Sequence, residues 1–258
     1  MKKGQILLIT VMLLATVMTI VLSVSFKSVT DTQVTKLEEE SQKALAAAES
    51  AIEVALKNNA NVLLSSISGL SGFAGSAQIN STAATTFTTP SIGKDGSYTF
   101  YLGNYNVQTK AIDPSVNQNI VICFQSGTPS PAIEVTLVKS TGVTGSVKKY
   151  VVDPNNPKRI SNALGGNPSC APDTANYSYS ATIPSADISL GGNDGKFLLV
   201  RVLYAPTKLL FSAAGNLAIQ GRTITSQATS TTSTGVSKKV VLFQSYPQIP
   251  GEFFSTAF

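Results

Sequence analysis

Residues 6–26 read ILLITVMLLATVMTIVLSVSF, a run of 21 residues that contains no charge, no glycine and no proline. At about 1.5 Å per residue, a helix of this length spans roughly 30 Å, the thickness of the hydrocarbon core of a bilayer. Its Ser and Thr hydroxyls can donate to carbonyls one turn earlier, so they are compatible with lipid. The run therefore predicts a membrane-spanning helix.

The flanks of this run predict its orientation. Lys2 and Lys3 precede it, and the positive-inside rule then places the N-terminus in the cytoplasm and everything after Lys27 on the other side. The chain is thus predicted to be a single-pass membrane protein with an extracytoplasmic C-terminal part. The alternative is a secretory signal peptide cleaved at the small residues 23–25, before Phe26. An apolar run longer than the usual ~7–15 residues favours the anchor.

The helix is predicted to continue beyond the membrane, to about residue 57. Neither glycine nor proline occurs between Gln5 and Ile67, and residues 36–57 are almost all strong helix formers. Spacings of three and four define one narrow stripe along residues 27–57, which predicts an amphipathic half packed on a globular domain. The stripe consists of Leu37, Ser41, Ala44, Ala48, Ile52 and Ala55. The alternative is a coiled-coil stalk, in which the stripe packs on a partner helix.

The remainder of the chain changes character twice. Residues 58–93 are rich in Asn, Ser, Gly, Ala and Thr, which predicts a loosely structured, flexible connection. From residue 94 to 258 the pattern has a period of two, which predicts a β-rich globular head. We therefore expect an α+β protein, with an antiparallel sheet or sandwich packed against the amphipathic half of the helix. The predicted strands are 97–102, 105–110, 120–125, 132–139, 147–152, 177–183, 196–204, 208–211, 217–229 and 236–244, with Gly103 and Asn104 as a hairpin turn.

Composition argues against an enzyme. The chain has no histidine, so histidine-dependent nucleophiles, general bases and metal sites are excluded. It has no phosphate-binding glycine loop, no CxxC and no calcium-binding loop motif, so we expect no catalytic residue, no metal and no cofactor. The net charge of +5 comes without a dense cluster of Lys and Arg, so there is no strong nucleic-acid signal.

The two cysteines, Cys123 and Cys170, leave two readings open. An even number of cysteines in an exported chain favours a disulfide, which would close a loop of about fifty residues and contribute roughly 3–4 kcal/mol. In the other reading, Cys123 is a buried free thiol inside the apolar run IVICF.

The N-terminus resembles that of the type IV pilin superfamily, and most closely the PilX-type minor pilins. The resemblance rests on a short basic leader ending in Gly4, then Gln5, then an apolar helix that becomes amphipathic and leads into a β-rich head. It implies that residues 1–4 are a prepilin leader, that prepilin peptidase cleaves after Gly4 and methylates Gln5, and that residues 5–26 form a filament core. The implied partners are the peptidase, other pilin subunits, the inner-membrane assembly machinery and, before assembly, membrane lipid.

Two residues depart from the family pattern. Most members begin the mature chain with Phe, where this chain has Gln5, and carry a glutamate at the fifth mature position, where it has Ile9. In the family that glutamate pairs with a neighbour's N-terminal ammonium, and its absence is familiar in tip-located pseudopilins. The resemblance therefore implies a minor or tip-proximal subunit of a type IV pilus or pseudopilus. The alternatives are an anchored adhesin-like module that never assembles and a secreted hydrolase.

Overall fold

The computed structural model describes residues 3–113, 117–140, 144–189, 194–231 and 235–250. A single long helix, α1 (Lys3–Asn58), is followed by antiparallel strands and one short helix, so the α+β class is confirmed. The later elements are β1 (Val62–Leu63), the 3-10 turn Leu64–Ser66, β2 (Phe73–Asn80), β3 (Thr86–Thr88), β4 (Ser97–Tyr101), β5 (Ile120–Phe124), β6 (Ala132–Ser140), β7 (Gly145–Val152), β8 (Tyr179–Ile183), α2 (Ser185–Ile188), β9 (Asp194–Leu203), β10 (Leu209–Ser212), β11 (Gly221–Ser230) and β12 (Ser237–Ser245).

Helix α1 has the length that the sequence predicts. It contains the whole predicted range 5–57 and ends one residue later, at Asn58. Asn59 then takes a left-handed conformation with φ of 51°, and the Ala60 amide donates to the Ala55 carbonyl at 3.3 Å. A left-handed Asn directly after the last turn is a common helix stop, because its short polar side chain tolerates that conformation.

The chain divides into two compact units rather than into a helix and one head. The first, the helix unit, comprises Met1–Asn80 and Thr223–Leu242, and the second, the sandwich unit, comprises Ser81–Arg222 and Phe243–Phe258. Strands β11 and β12 contribute residues to both. The predicted boundary at residue 94 is therefore wrong, because the pairing of β2 with β11 joins residues 73–80 to the helix unit.

The helix unit consists of α1 and a four-stranded sheet with the order β1-β2-β11-β12. Strand β2 pairs with β11 along its full length, from Phe73 opposite Ser230 to Asn80 opposite Thr223. The side chains that pack between helix and sheet are mostly small, which lets the two backbones approach closely. The buried ones are Ala47, Ala48, Ala51, Ile52 and Ala55 from α1, with Val62, Leu64, Ala77, Ile224 and Ala228 opposite them.

Only part of the predicted stripe packs on this sheet. Ala44, Ala48, Ile52 and Ala55 are buried, as predicted, but Leu37 is 46% exposed. Ser41, also in the stripe, is only half-buried. The period of the pattern defines a face of the helix, whereas the end of the sheet determines how far along the helix that face is covered.

The sandwich unit has two four-stranded sheets, with the orders β3-β10-β5-β8 and β4-β9-β6-β7. Its core lies between them, and the rings of Phe100 on β4 and Phe211 on β10 stack across it with centroids 4.0 Å apart. Residues that face this core alternate along a strand, as Ile120, Ile122 and Phe124 do on β5, whereas Cys123 between them is buried in a separate cluster. This alternation is why the sequence predicted most of these strands within one or two residues of their ends.

The segment 58–93 is not the loosely structured connection that its composition predicts. It contains β1, β2 and β3, and β2 is eight residues long. Strand β2, of sequence FAGSAQIN, has small and polar residues and little apolar alternation. It forms a strand because it pairs with β1 and β11, so the residues that determine its conformation lie elsewhere in the chain.

The predicted strand 105–110 and its hairpin turn are also wrong. The antiparallel partner of β4 is β9, which is about a hundred residues further along the chain. Asn106 accepts hydrogen bonds through Oδ1 from the amides of Gln108 and Thr109, at 2.9 and 3.0 Å. Its side chain thereby nucleates a tight loop, which Lys110 completes in a left-handed conformation with φ of 59°.

Candidate functional site

The N-terminal half of α1 carries most of the large exposed apolar side chains among the described residues. Large side chains from Leu7 to Val34 are exposed, including Leu7 and Leu14 at 69% and Phe26 at 70%. They occur on every side of the helix rather than on one stripe, since every described residue from 7 to 39 is exposed. Exposed apolar surfaces of this size mark sites that contact a membrane or another protein. The helix is long and apolar enough to cross a membrane.

Three threonine hydroxyls in this half are satisfied within the helix. Thr10 donates to the Leu7 carbonyl and Thr16 to the Leu13 carbonyl, both at 2.9 Å. Thr19 donates to the carbonyls of Ala15 and Thr16. These local bonds confirm the sequence-based expectation for the three threonines, and they leave the helix exterior effectively apolar.

The residues expected to take part in processing lie at the start of the helix. The helix begins at Lys3, so the Gly4–Gln5 bond is within its first turn. Lys2 lies outside the described residues, and its role in orientation, shared with Lys3, stays a prediction. Ile9, at the position of the family's glutamate, is 58% exposed on the apolar surface. A carboxylate there would face the same surroundings as the neighbouring leucines.

Cys123 and Cys170 form a disulfide in the structure, with a Cα–Cα distance of 5.7 Å. Both are fully buried on the outer side of β5, together with Tyr177 and Leu210. The bond attaches the long loop between β7 and β8 to the sheet. Two further hydrogen bonds, from the Ser180 hydroxyl to the Ser169 carbonyl and from the Asn167 amide to the Ser180 carbonyl, hold the same loop.

Two acidic residues of the sandwich unit hold surface elements together. Asp187 accepts from Lys148 and from the Tyr150 hydroxyl, and these hydrogen bonds, the lysine first, lower the pKa of its carboxyl. The Tyr150 phenol has a raised pKa, first because it is partly buried and then because it donates to Asp187. The hydrogen bonds from Lys148 and Tyr150 to Asp187 therefore hold β7 against α2.

The second acid, Asp153, is fully buried and accepts four hydrogen bonds. Burial raises the pKa of Asp153, but the donors from Arg159 and from the Asn155 amide outweigh it and lower the pKa overall. The Arg159 guanidinium in turn lies 3.8 Å from the ring centroid of Tyr204. These three side chains hold together the loop that follows β7.

Comparison of the chain with protein-family models, with curated proteins and with solved structures finds no match. The resemblance to type IV pilins therefore rests on residues 2–57 alone and stays a prediction. Among the described residues, no group of three or more His, Cys, Asp or Glu side chains is placed to hold a metal ion.

Two residues of the packed helix face were missed by the sequence analysis. Ala47 and Ala51 are as deeply buried as the alanines of the predicted stripe. A wider apolar face, about three residues in each seven, would have included both, since globular proteins bury more of a helix than a coiled coil does.

Proposed function

We propose that this chain is a structural, non-enzymatic subunit of a type IV pilus or related pseudopilus. It is inserted with its N-terminus in the cytoplasm, cleaved after Gly4 by prepilin peptidase and methylated at Gln5. It then enters a filament at the cell surface through residues 5–26. Ile9 assigns it a minor or tip-proximal position, because a subunit without its own acid cannot neutralise a neighbour's N-terminal ammonium.

One observation carries this proposal: the apolar exterior of α1 extends far beyond the part that packs on a sheet. Among the side chains of α1 that the structure describes, the buried ones lie between Ala44 and Ala55, and every residue from 7 to 39 is exposed. In lipid this half is an anchor, and beside other copies it is a packing surface on all sides. A single helix that serves both states needs an apolar surface all round, not a stripe.

The sequence of the leader supports the same proposal. Gly4 has no side chain, which lets a peptidase approach the backbone of the Gly4–Gln5 bond. A signal peptide, by contrast, has no reason to continue without interruption into a helix that ends at Asn58. The two readings differ in the position of the cut, by about twenty residues.

Two single substitutions test the position of that cut. Gly4→Val blocks access to the bond after residue 4, whereas Ser25→Leu removes the small residue that a signal peptidase needs. The chain is expressed in its own host, and the processed band in the membrane fraction is identified by intact mass. We expect Gly4→Val to remain full length and Ser25→Leu to mature like the wild type.

The other outcomes are equally informative. Normal maturation of Gly4→Val with a block in Ser25→Leu would replace the proposal with a secreted protein. A wild-type chain that stays uncut in its own host would identify a permanently anchored binding or adhesin module instead. A block in both variants would mean that maturation also depends on residue 25, which would contradict cleavage after Gly4 as the sole processing step.

A further inference from the structure

The outer face of the sheet β4-β9-β6-β7 is buried, although the outer face of an antiparallel sandwich is commonly wet. On β9, the core between the two sheets takes Leu198 and Val200, so the alternating residues Phe197 and Leu199 point to the outer side. Leu199 is nevertheless only 3% exposed, and Phe197 is buried as well. Packing between the two sheets therefore does not account for the burial of these two side chains.

The buried side chains of this face are neighbours across three strands. Leu199 lies opposite Thr99 on β4 and opposite Thr136 on β6, and both threonines are buried. Tyr101 lies opposite Phe197, and their ring centroids are 6.4 Å apart. We call these five side chains the outer patch. They form one continuous surface of aromatic rings, methyl groups and two hydroxyls.

Charged side chains border the outer patch on the next row of the sheet. Glu134 on β6 lies opposite Arg201 on β9, and Lys149 on β7 pairs with Glu134 Oε1 at 3.2 Å. All three are partly buried. An uncharged centre with a charged border is the composition of a packed interface. The outer patch thus has the chemistry of a surface that another segment covers.

Residues 246–250, which we call the strap, run along one border of the outer patch. The Tyr101 hydroxyl donates to the Pro247 carbonyl at 2.6 Å, and the Ile249 amide donates to Thr99 Oγ1 at 2.9 Å. Both of these contacts are made by side chains of the outer patch. The strap therefore follows β4 on the outer side of the sheet, and the described part of the chain ends one residue after Ile249.

The rest of the chain has the length and the composition to cover the patch. Residues 251–258, GEFFSTAF, include Phe253, Phe254 and Phe258. Eight residues can span about 26 Å, whereas the distance across the sheet from β4 to β7 is roughly 14 Å. A segment that starts beside Thr99 can therefore reach Leu199 and Thr136 with its first phenylalanines.

We propose that residues 251–258 of the same chain cover the outer patch and place phenylalanine rings over Phe197 and Leu199. The strap selects this occupant because it attaches the segment at the border of the patch, where its effective concentration exceeds that of a separate chain. The segment forms a third layer of the sandwich unit and closes this face to other partners. This inference does not depend on the proposed filament function.

The test measures the accessibility of a single thiol in the outer patch. Thr136→Cys introduces the only free thiol, because the two native cysteines, Cys123 and Cys170, are bonded to each other. The full chain and a chain ending at Pro250 are purified in detergent micelles, and alkylation by N-ethylmaleimide is followed by intact mass. The control is Ser226→Cys, at a fully buried position of β11 in the helix unit.

In the full chain, we expect slow alkylation at positions 136 and 226. Deletion of residues 251–258 is expected to raise the rate at position 136 at least about tenfold and to leave position 226 protected. Adding wild-type chain to the shortened variant should not restore protection, because the segment acts within its own chain.

A second pair of variants keeps the test valid if the shortened chain loses its fold, which would expose position 226 as well. In the full chain with Thr136→Cys, the double substitution Phe253→Ser and Phe254→Ser removes the rings and should also speed alkylation at position 136. Ser255→Ala is its matched control and should leave position 136 protected.

Three results would overturn the inference. Fast alkylation at position 136 in the full chain would mean that the outer patch is open. Equally slow alkylation in the full chain, the shortened chain and the double variant would mean that another part of the protein covers the patch. Protection restored by added wild-type chain would assign the patch to the C-terminal segment of a second copy.

Discussion

The two halves of α1 share one unbroken helix but have opposite surfaces. The first half exposes large apolar side chains on all sides, whereas the second buries a face of alanines against the sheet β1-β2-β11-β12. Helix propensity is high in both, so it does not distinguish them. The two halves differ in the size and the distribution of their apolar side chains. Alanine faces allow a sheet to approach closely, and leucine, valine and isoleucine all round suit lipid or neighbouring helices.

The largest expected effect comes from charging the packed half. Ala48 is fully buried, so Ala48→Arg places an uncompensated charge between helix and sheet and should destabilise the helix unit by about 4 kcal/mol. Thermal unfolding followed by amide exchange in β2 and β11 measures this. Ala46→Arg, two residues earlier on the exposed side, is the control and should unfold like the wild type. Similar losses in both variants would contradict a one-sided packing face.

A charge in the apolar half should impair membrane insertion and leave the stability of the fold unchanged. Leu14→Arg costs about 3 kcal/mol in membrane insertion, while the sandwich and helix units should unfold normally. The measurement is the fraction of protein retained in carbonate-washed membranes, with Leu14→Ile as the conservative control. Retention of Leu14→Arg at the wild-type level would show that residues 7–26 do not span a bilayer.

Two separate glutamate substitutions test the role of Ile9 within the apolar half. Under the filament proposal, Ile9→Glu restores an acid that can pair with a neighbour's N-terminal ammonium, so it should be tolerated. Leu13→Glu places the same acid one turn further along the exposed helix, where no ammonium is expected, and incorporation should fall roughly tenfold. Incorporation is measured by immunoblot of sheared surface fractions. An equal loss in both variants would contradict the inference that Ile9 lies where the pilin family carries its glutamate.

Gly75 tests how closely β2 approaches β11 in the packed half. Its φ of 140° suits glycine, and a Cβ there would lie 1.9 Å from the Gln227 carbonyl oxygen. Gly75→Ala should therefore cost about 2 kcal/mol of helix-unit stability, measured by thermal unfolding. Gly72→Ala, where a Cβ meets nothing within 4 Å, is the control. If the two variants melt together, the pairing of β2 with β11 is looser than the structure has it.

The smallest effect concerns acid stability and lies outside the helix. The pKa of Asp187 is lowered from 3.8 by Lys148 and Tyr150, so its contribution to stability is complete above that value and is lost as the pH falls through the lower folded pKa. The group is near the surface, so the loss should be below ~1 kcal/mol. Asp187→Asn should flatten this part of the pH–stability curve. An unchanged pH–stability curve in Asp187→Asn would mean that the Asp187 carboxylate does not cause the loss of stability in acid.

The sequence predicts elements whose information is local. The bounds of α1 follow from its helix formers and from Asn59, and most sandwich strands follow from alternation. It does not predict β2, because the strand depends on partners near residues 62 and 223. The false strand at 105–110 has the composition of a strand, but the side chain of Asn106 forms a loop instead.

The same reasoning explains which residues the sequence can single out as candidates, and the roles of Gly4, Gln5 and Ile9 stay predictions. Gly4, Gln5 and Ile9 are marked by their position before and within one apolar run. Gln220 and Gln248 accept hydrogen bonds from the Tyr101 and Thr99 amides on β4, which are 119 and 149 residues away in sequence. No local sequence pattern identifies such contacts. Leu37 was assigned to the packed face because periodicity defines the side of a helix but not where the opposing sheet ends.

Under the filament proposal, the apolar half of α1 forms a filament core after prepilin peptidase removes a four-residue leader. Intact and N-terminal peptide mass spectrometry of protein sheared from the surface of its own host tests this most directly. We predict a chain that begins at Gln5 and carries one added methyl group. A chain that begins at Met1 or at Phe26 would contradict it.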